Sequence, residues 1–146
     1  MFLSAEDVKE RVDGIIHEDT QFADKGIDLT VNKISRVSTP TELDFGGSEE
    51  KLGEVEEIEA EKRSAEDDYG WWKLERGVYI IEFNEEVSVE DEIGLIVPLD
   101  RLTVGGCFHS PLVIHGDLSG QPVLFVSSPG LNLKENARVS RLLVWR

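Results

Sequence analysis

At 146 residues, the chain is long enough for one domain with a real core and too short for two ordinary ones. Its composition, 40% apolar and 31% charged, is that of a soluble globular protein, and a formal charge of -15 argues against duplex nucleic acid as a partner. No apolar run approaches the roughly 20 residues of a membrane span, no leader-like N-terminus is evident, and the single Cys107 leaves no internal disulfide. A cytoplasmic home with no membrane partner is therefore expected.

Ser4 ahead of Ala5-Glu6-Asp7-Val8 reads as an N-cap with an acidic first turn, predicting a short helix that stops near Gly14. Alternation of apolar and polar residues from Gly26 to Ile34 predicts a half-buried strand. The segment 42–68 carries twelve acids against Lys51, Lys62 and Arg63. The acids, with Pro40, Gly46 and Gly47, make residues of about 40–70 an acidic, mobile excursion, with one strand expected within Gly53–Glu59. From Trp71 onward short strand signals follow closely: Val78–Phe83, Val87–Val89, Ile93–Pro98, Cys107–His109, Leu112–His115, Val123–Val126 and Ala137–Val144. Turn residues separate them, and the acids Glu90-Asp91-Glu92 split the second from the third. Many short strands with Gly and Pro turns predict an all-β sandwich or barrel.

Several of these signposts stand in the order of a known family. Gly26-Ile27-Asp28-Leu29 precedes Val87–Pro98, then Val113-Ile114-His115-Gly116-Asp117-Leu118-Ser119-Gly120, and finally Arg138-Val139-Ser140-Arg141-Leu142-Leu143. Together they resemble the dUTPase and dCTP deaminase superfamily, its archaeal dUTPase-like members most of all. The resemblance covers Phe2 to Trp145. It implies a single domain over 1–146, a distorted jelly-roll-like β-barrel with one short N-terminal helix, assembling as a homotrimer with sites between subunits. It also implies a pyrimidine deoxynucleotide as ligand. The base would be read by backbone groups of Ile114, Gly116 and Gly120, with Leu118 as an apolar floor under the sugar, and Arg101 would meet phosphate. Asp28 matches the aspartate that helps hold Mg2+ through water, although a capping carboxylate at a strand start is an equal reading of it.

The side chains that carry the family's chemistry depart from its pattern. His115 stands at the water-orienting aspartate, so His115, with Asp117 nearby, is the candidate base. Pro98-Leu99-Asp100-Arg101 replaces a Pro-Arg-Ser-Ser phosphate grip, and Arg141 replaces a glutamine. The deaminases' proton-shuttling glutamate is Phe125, so deamination is the poorer enzyme reading. Three functions follow: a nucleotide-binding homologue with lost or altered catalysis, a working dUTP diphosphatase rebuilt around His115, or a metal-binding β module. The last would use Cys107, His109, His115 and Asp117, spaced C-x-H-x5-H-x-D.

Overall fold

A computed structural model describes residues 1–118 and 120–146; Ser119, inside the expected hairpin, lies outside the described residues. The elements in chain order are α1 (Ala5–Val8), a 3-10 turn at Lys9–Arg11, β1 (Val12–Asp13), α2 (Glu18–Gln21), β2 (Ile27–Val37), β3 (Val55–Ile58), β4 (Trp71–Leu74), β5 (Gly77–Phe83), β6 (Glu86–Pro98), α3 (Asp100–Val104), β7 (Cys107–His109), β8 (Leu112–Asp117), β9 (Val123–Val126), β10 (Leu131–Lys134) and β11 (Arg138–Trp145). The fold is thus all-β, as expected. Helix α1 is capped by the Ser4 side chain, which accepts a hydrogen bond from the Asp7 amide. Two further short helices, α2 and α3, were not legible in the apolar pattern.

Every strand pair described is antiparallel. The main path runs β1-β6-β11-β2-β5-β9-β7, with β3 added to β2 and β8 added to β6, while β4 and β10 form a separate ribbon. Inward residues of these strands, including Ile27, Leu29, Val31, Ile81, Ile96, Ile114, Leu124 and Leu142, build one apolar core. Burial of each such aliphatic side chain contributes about 2 kcal/mol.

Three local readings change. The two strands expected at Val87–Val89 and Ile93–Pro98 are one continuous β6. Its acids lie in an irregularity against β8, where pairing jumps from Val89↔Gly116 to Gly94↔Ile114. Exposed Glu90 and Asp91 therefore stay in water while the strand continues. Strand β2 is buried on both faces from Ile27 to Val31, since it sits between β11 and β5 and polar side chains cover its second face. The expected strand within the acidic excursion is present as β3, docked on β2 through Ile34↔Ile58, and the Trp72 indole donates to the Ile58 carbonyl at 2.8 Å.

Gly26 marks the entry to β2 with φ of 82°, and a Cβ there would collide with the Leu142 carbonyl oxygen of β11. Both the conformation and the space require glycine. Gly26→Ala is expected to cost about 2 kcal/mol or more of stability. An unchanged urea midpoint for that variant would show that β2 and β11 separate easily at this point.

Candidate functional site: a guanidinium-lined groove and a distant hairpin

Asp28 lies on β2 and is only 2% exposed. Its two carboxylate oxygens accept from two different arginines of β11: Arg141 Nε donates to Oδ1 at 2.8 Å and Arg138 Nη1 to Oδ2 at 2.9 Å. Positions i and i+3 of a regular strand point to opposite faces. Here the register against β2 shifts between Arg138 and Ser140, so a bulge brings both arginines to one side. Val139 and Ser140 are both buried as a result. Asp28, Arg138 and Arg141 face a groove also lined by Lys25, Asp24, Pro98, Asp100 and Arg101. Arg101 and Arg138 extend into an adjoining cleft beside Trp71 and Lys134. On a chain of charge -15, four cations in one groove against three acids, one of them doubly paired, make a local positive site.

Beneath the groove runs a buried polar network. The Gln21 carboxamide donates to the Asp28 carbonyl and to Glu85, both at 2.9 Å, and its oxygen accepts from the Ile16 and His17 amides. Glu85 also accepts from the amide and the hydroxyl of Thr30, each at 2.7 Å. Burial pushes the Glu85 carboxyl above its usual value, opposed by these donated hydrogen bonds. Asn84 then links Thr30 to Asn136, which holds a left-handed conformation in the turn before β11. The donors on Glu85 favour its ionised form and so oppose the effect of burial.

The hairpin residues lie elsewhere. His115 is exposed on β8, Ile114 is in the core, and Gly116 has φ of 89°. Asp117 accepts from the Ser88 hydroxyl at 2.6 Å, and the Leu118 amide donates to the Val87 carbonyl at 2.9 Å. Leu118 packs partly against the core, which leaves less of it for a sugar floor than the sequence suggests. Leu118, Asp117 and Gly120 border a second groove dominated by carboxylates, among them Glu10, Asp13, Glu82 and Glu86, with Arg11 the cation among its described residues. Ser88 pairs with Asp117 at one end of β6, and Pro98 at the other end borders the basic groove. That length of extended strand covers roughly 30 Å. Within one chain, then, Asp28 and Arg101 are brought together, and Asp117, Leu118 and Gly120 are not brought to them; His115 lies between the two ends, beside Ile114, which pairs with Gly94.

The zinc-like constellation does not form. Cys107 and His109 point into the core, whereas His115 and Asp117 point outward, and no group of three or more metal-ligating side chains occurs among the described residues. His109 instead donates from Nδ1 to the Ser110 carbonyl at 2.9 Å, which leaves Nε2 to accept from the Ser140 hydroxyl at 2.7 Å. Phe125, at the position of a deaminase glutamate, stands on the outer face stacked on Phe108 with ring centroids 5.1 Å apart. No proton shuttle is available from that position.

No protein-family model matches the chain. It is 30% identical over 138 residues to a protein of Methanococcoides burtonii named "Probable deoxyuridine 5'-triphosphate nucleotidohydrolase", covering 92% of this chain and 78% of that one. A protein of Aeropyrum pernix with the same name is 31% identical over 152 residues, covering all of this chain and 89% of the relative. The chain belongs to the dUTPase and dCTP deaminase superfamily. The fold agrees: 98% of the chain superposes on 2'-deoxycytidine 5'-triphosphate deaminase from Agrobacterium tumefaciens with a TM-score of 0.66 at 11% identity, spanning about half (47%) of that longer chain.

Asp28 matches the superfamily's aspartate in the sequence, but its carboxylate is already engaged. Magnesium takes near-octahedral oxygen donors, commonly one or two carboxylates plus phosphates and water. Both Asp28 oxygens accept from guanidinium groups, so the residues present do not fit a Mg2+ coordinated directly by Asp28. Sequence reasoning named Arg141 only as a replaced glutamine and gave Arg138 no role, because only the bulge at Val139 places them together. It missed Glu85 as well; a Glu at a strand junction carries no local signal that it is buried.

His109 gives this region a pH signature. Burial pushes its imidazole below the ordinary value of 6.5, partly offset by the Ser110 carbonyl. Above pH 6.5 the ring is neutral in both states and pH has no effect through it. As pH falls below 6.5 the unfolded chain takes up a proton that the native ring resists, and stability is lost. The urea midpoint of the wild type should therefore fall more steeply between pH 7 and 5 than that of His109→Gln. Parallel slopes would place the acid sensitivity elsewhere.

Proposed function

We propose that this protein binds a pyrimidine deoxynucleotide, with its phosphates on Arg101, Arg138 and Arg141 and its base on the backbone of Ile114–Gly120. The observation that carries this reading is the charge contrast between the two grooves. A triphosphate is repelled by the carboxylates around Asp117 and attracted to the guanidinium groove, so base and phosphate contacts must come from different places. In one chain Asp117, paired with Ser88, and the basic groove at Pro98 lie at opposite ends of β6, farther apart than one nucleotide spans. The reading therefore requires a second copy to bring its hairpin to the basic groove, as in a homotrimer. Light scattering at micromolar concentration should give about three times the 16.4 kDa monomer mass. A monomer mass would remove the composite site.

Within that reading, hydrolysis of dUTP to dUMP and pyrophosphate is lost or slow. Attack of water at the α-phosphorus needs a positioned base, and removal of one such catalytic component commonly costs about 10²–10³ in rate. His115 offers an imidazole where the superfamily has an aspartate, and the Pro-Arg-Ser-Ser grip is absent. A second reading, a working dUTP diphosphatase with His115 as base, is favoured by the names of the relatives and by the exposure of His115 on the hairpin. Incubation with dUTP and dCTP, with pyrophosphate and ammonia both assayed, separates them. Turnover far below 1 s⁻¹, increased by His115→Asp, is expected; turnover of order 1 s⁻¹ abolished by His115→Ala would establish the second reading.

A further inference from the structure

We propose that this protein holds the phosphates of its ligand on the Arg138–Arg141 guanidinium pair without a divalent cation, Arg141 supplying beside Asp28 the positive charge that a metal would otherwise supply. The proposal rests on the reading of the basic groove as the phosphate site.

The metal's usual electrostatic role is to neutralise a carboxylate and phosphate oxygens that would otherwise repel each other. In this groove the charge of the carboxylate is already met. Asp28 carries one negative charge, deeply buried, and two guanidinium groups meet it at 2.8 and 2.9 Å. The triad has one surplus positive charge, which the groove as a whole keeps, since Lys25 and Arg101 are balanced by Asp24 and Asp100. A metal ion entering at Asp28 would meet two fixed cations and a carboxylate whose two oxygens each already accept a guanidinium hydrogen bond. The other acids of the groove, Asp24 and Asp100, are exposed, and no cluster of three oxygen, nitrogen or sulfur donors is present among the described residues.

The same pairing leaves the guanidinium groups equipped for an anion. A guanidinium carries five N–H donors in a rigid fork. Among the described residues Arg141 spends only Nε, on Asp28, and Arg138 spends only Nη1, on Asp28 and the Thr20 carbonyl. Both side chains are about one-third exposed, at 34% and 36%, so their remaining donors reach solvent on the groove side. Asp28 is here a positioning residue: it fixes the orientation of two forks whose free edges match phosphate oxygens in bidentate fashion. Gln21, gripping the Asp28 backbone carbonyl, fixes the strand beneath.

The test is calorimetric titration of the intact protein with tripolyphosphate and, separately, with dUTP, in buffer containing EDTA and in buffer containing excess Mg2+. Tripolyphosphate affinity in EDTA is expected to lie within about threefold of that in Mg2+. Arg141→Gln should weaken binding in EDTA about tenfold, the loss of one charge-assisted contact. Arg101→Ala, which does not touch Asp28, provides a second variant free of any folding defect at the buried carboxylate. Electron paramagnetic resonance of Mn2+ should show no ion captured when protein and tripolyphosphate are both present beyond what tripolyphosphate alone captures. Binding seen only with Mg2+, extra Mn2+ held by the ternary mixture, or no binding of either ligand in either buffer would each overturn the proposal. If dUTP binds in EDTA no tighter than tripolyphosphate, the metal-free site stands and the pyrimidine reading fails. Mg2+-dependent dUTP binding tighter than tripolyphosphate would do the reverse.

Discussion

One buried carboxylate governs the centre of this molecule. Taking Asp28 out of water is costly unless its charge is met, and a buried carboxylate stripped of its partner commonly costs several kcal/mol. The two arginines that meet it both come from β11, the strand that also pairs with β6. The ion pairs therefore fix more than a side chain. They span the bulge at Val139, where the register of β11 against β2 shifts. The surface consequence is a cationic groove on a strongly acidic protein.

A second polar layer explains why β2 can be buried on both faces. Its apolar side chains enter the core, and its other face is covered by Gln21, Glu85 and Asn84 rather than by water. Each of these groups is hydrogen bonded, and among the described residues no buried side-chain nitrogen or oxygen lacks a partner. Such a network tolerates little change, because removal of one member leaves another unsatisfied in a low-dielectric setting. It ties three turns, before α2, between β5 and β6, and before β11, to the strand that carries Asp28. An analogous tie closes the far edge, where Glu92 accepts from Arg11 at 2.6 Å and from Arg146, and the Arg11 hydrogen bond holds the Glu92 carboxyl below its usual range.

Charge is divided unevenly over the surface. The hairpin groove is lined by acids and the β11 groove by guanidinium groups, and the length of β6 separates them. A polyanion can reach the second without crossing the first. The superfamily framework survives around substituted side chains because the framework residues, Gly26, Ile27, Leu29, Ile114 and Leu142, are backbone-shaping or core positions. The substituted ones, His115, Arg101 and Arg141, reach solvent, where the fold constrains them less.

The sequence alone determined the β class, the capped first helix, the strand inside the acidic excursion and the superfamily frame. These are signals of period, turn chemistry and motif order, which lie along the chain. It named Asp28, Arg101 and the hairpin residues, and it exposed their departures from the family pattern. Only the tertiary structure decided what those residues do to one another. Bulges are the physical reason: one extra residue at Val139 inverts the facing of everything before it, and slippage between Val89 and Gly94 keeps three acids within one strand. Burial is the other reason, since Cys107, His109 and Glu85 acquire their partners only when distant strands close over them. A sequence shows which side chains are available; the register of its strands decides which of them meet.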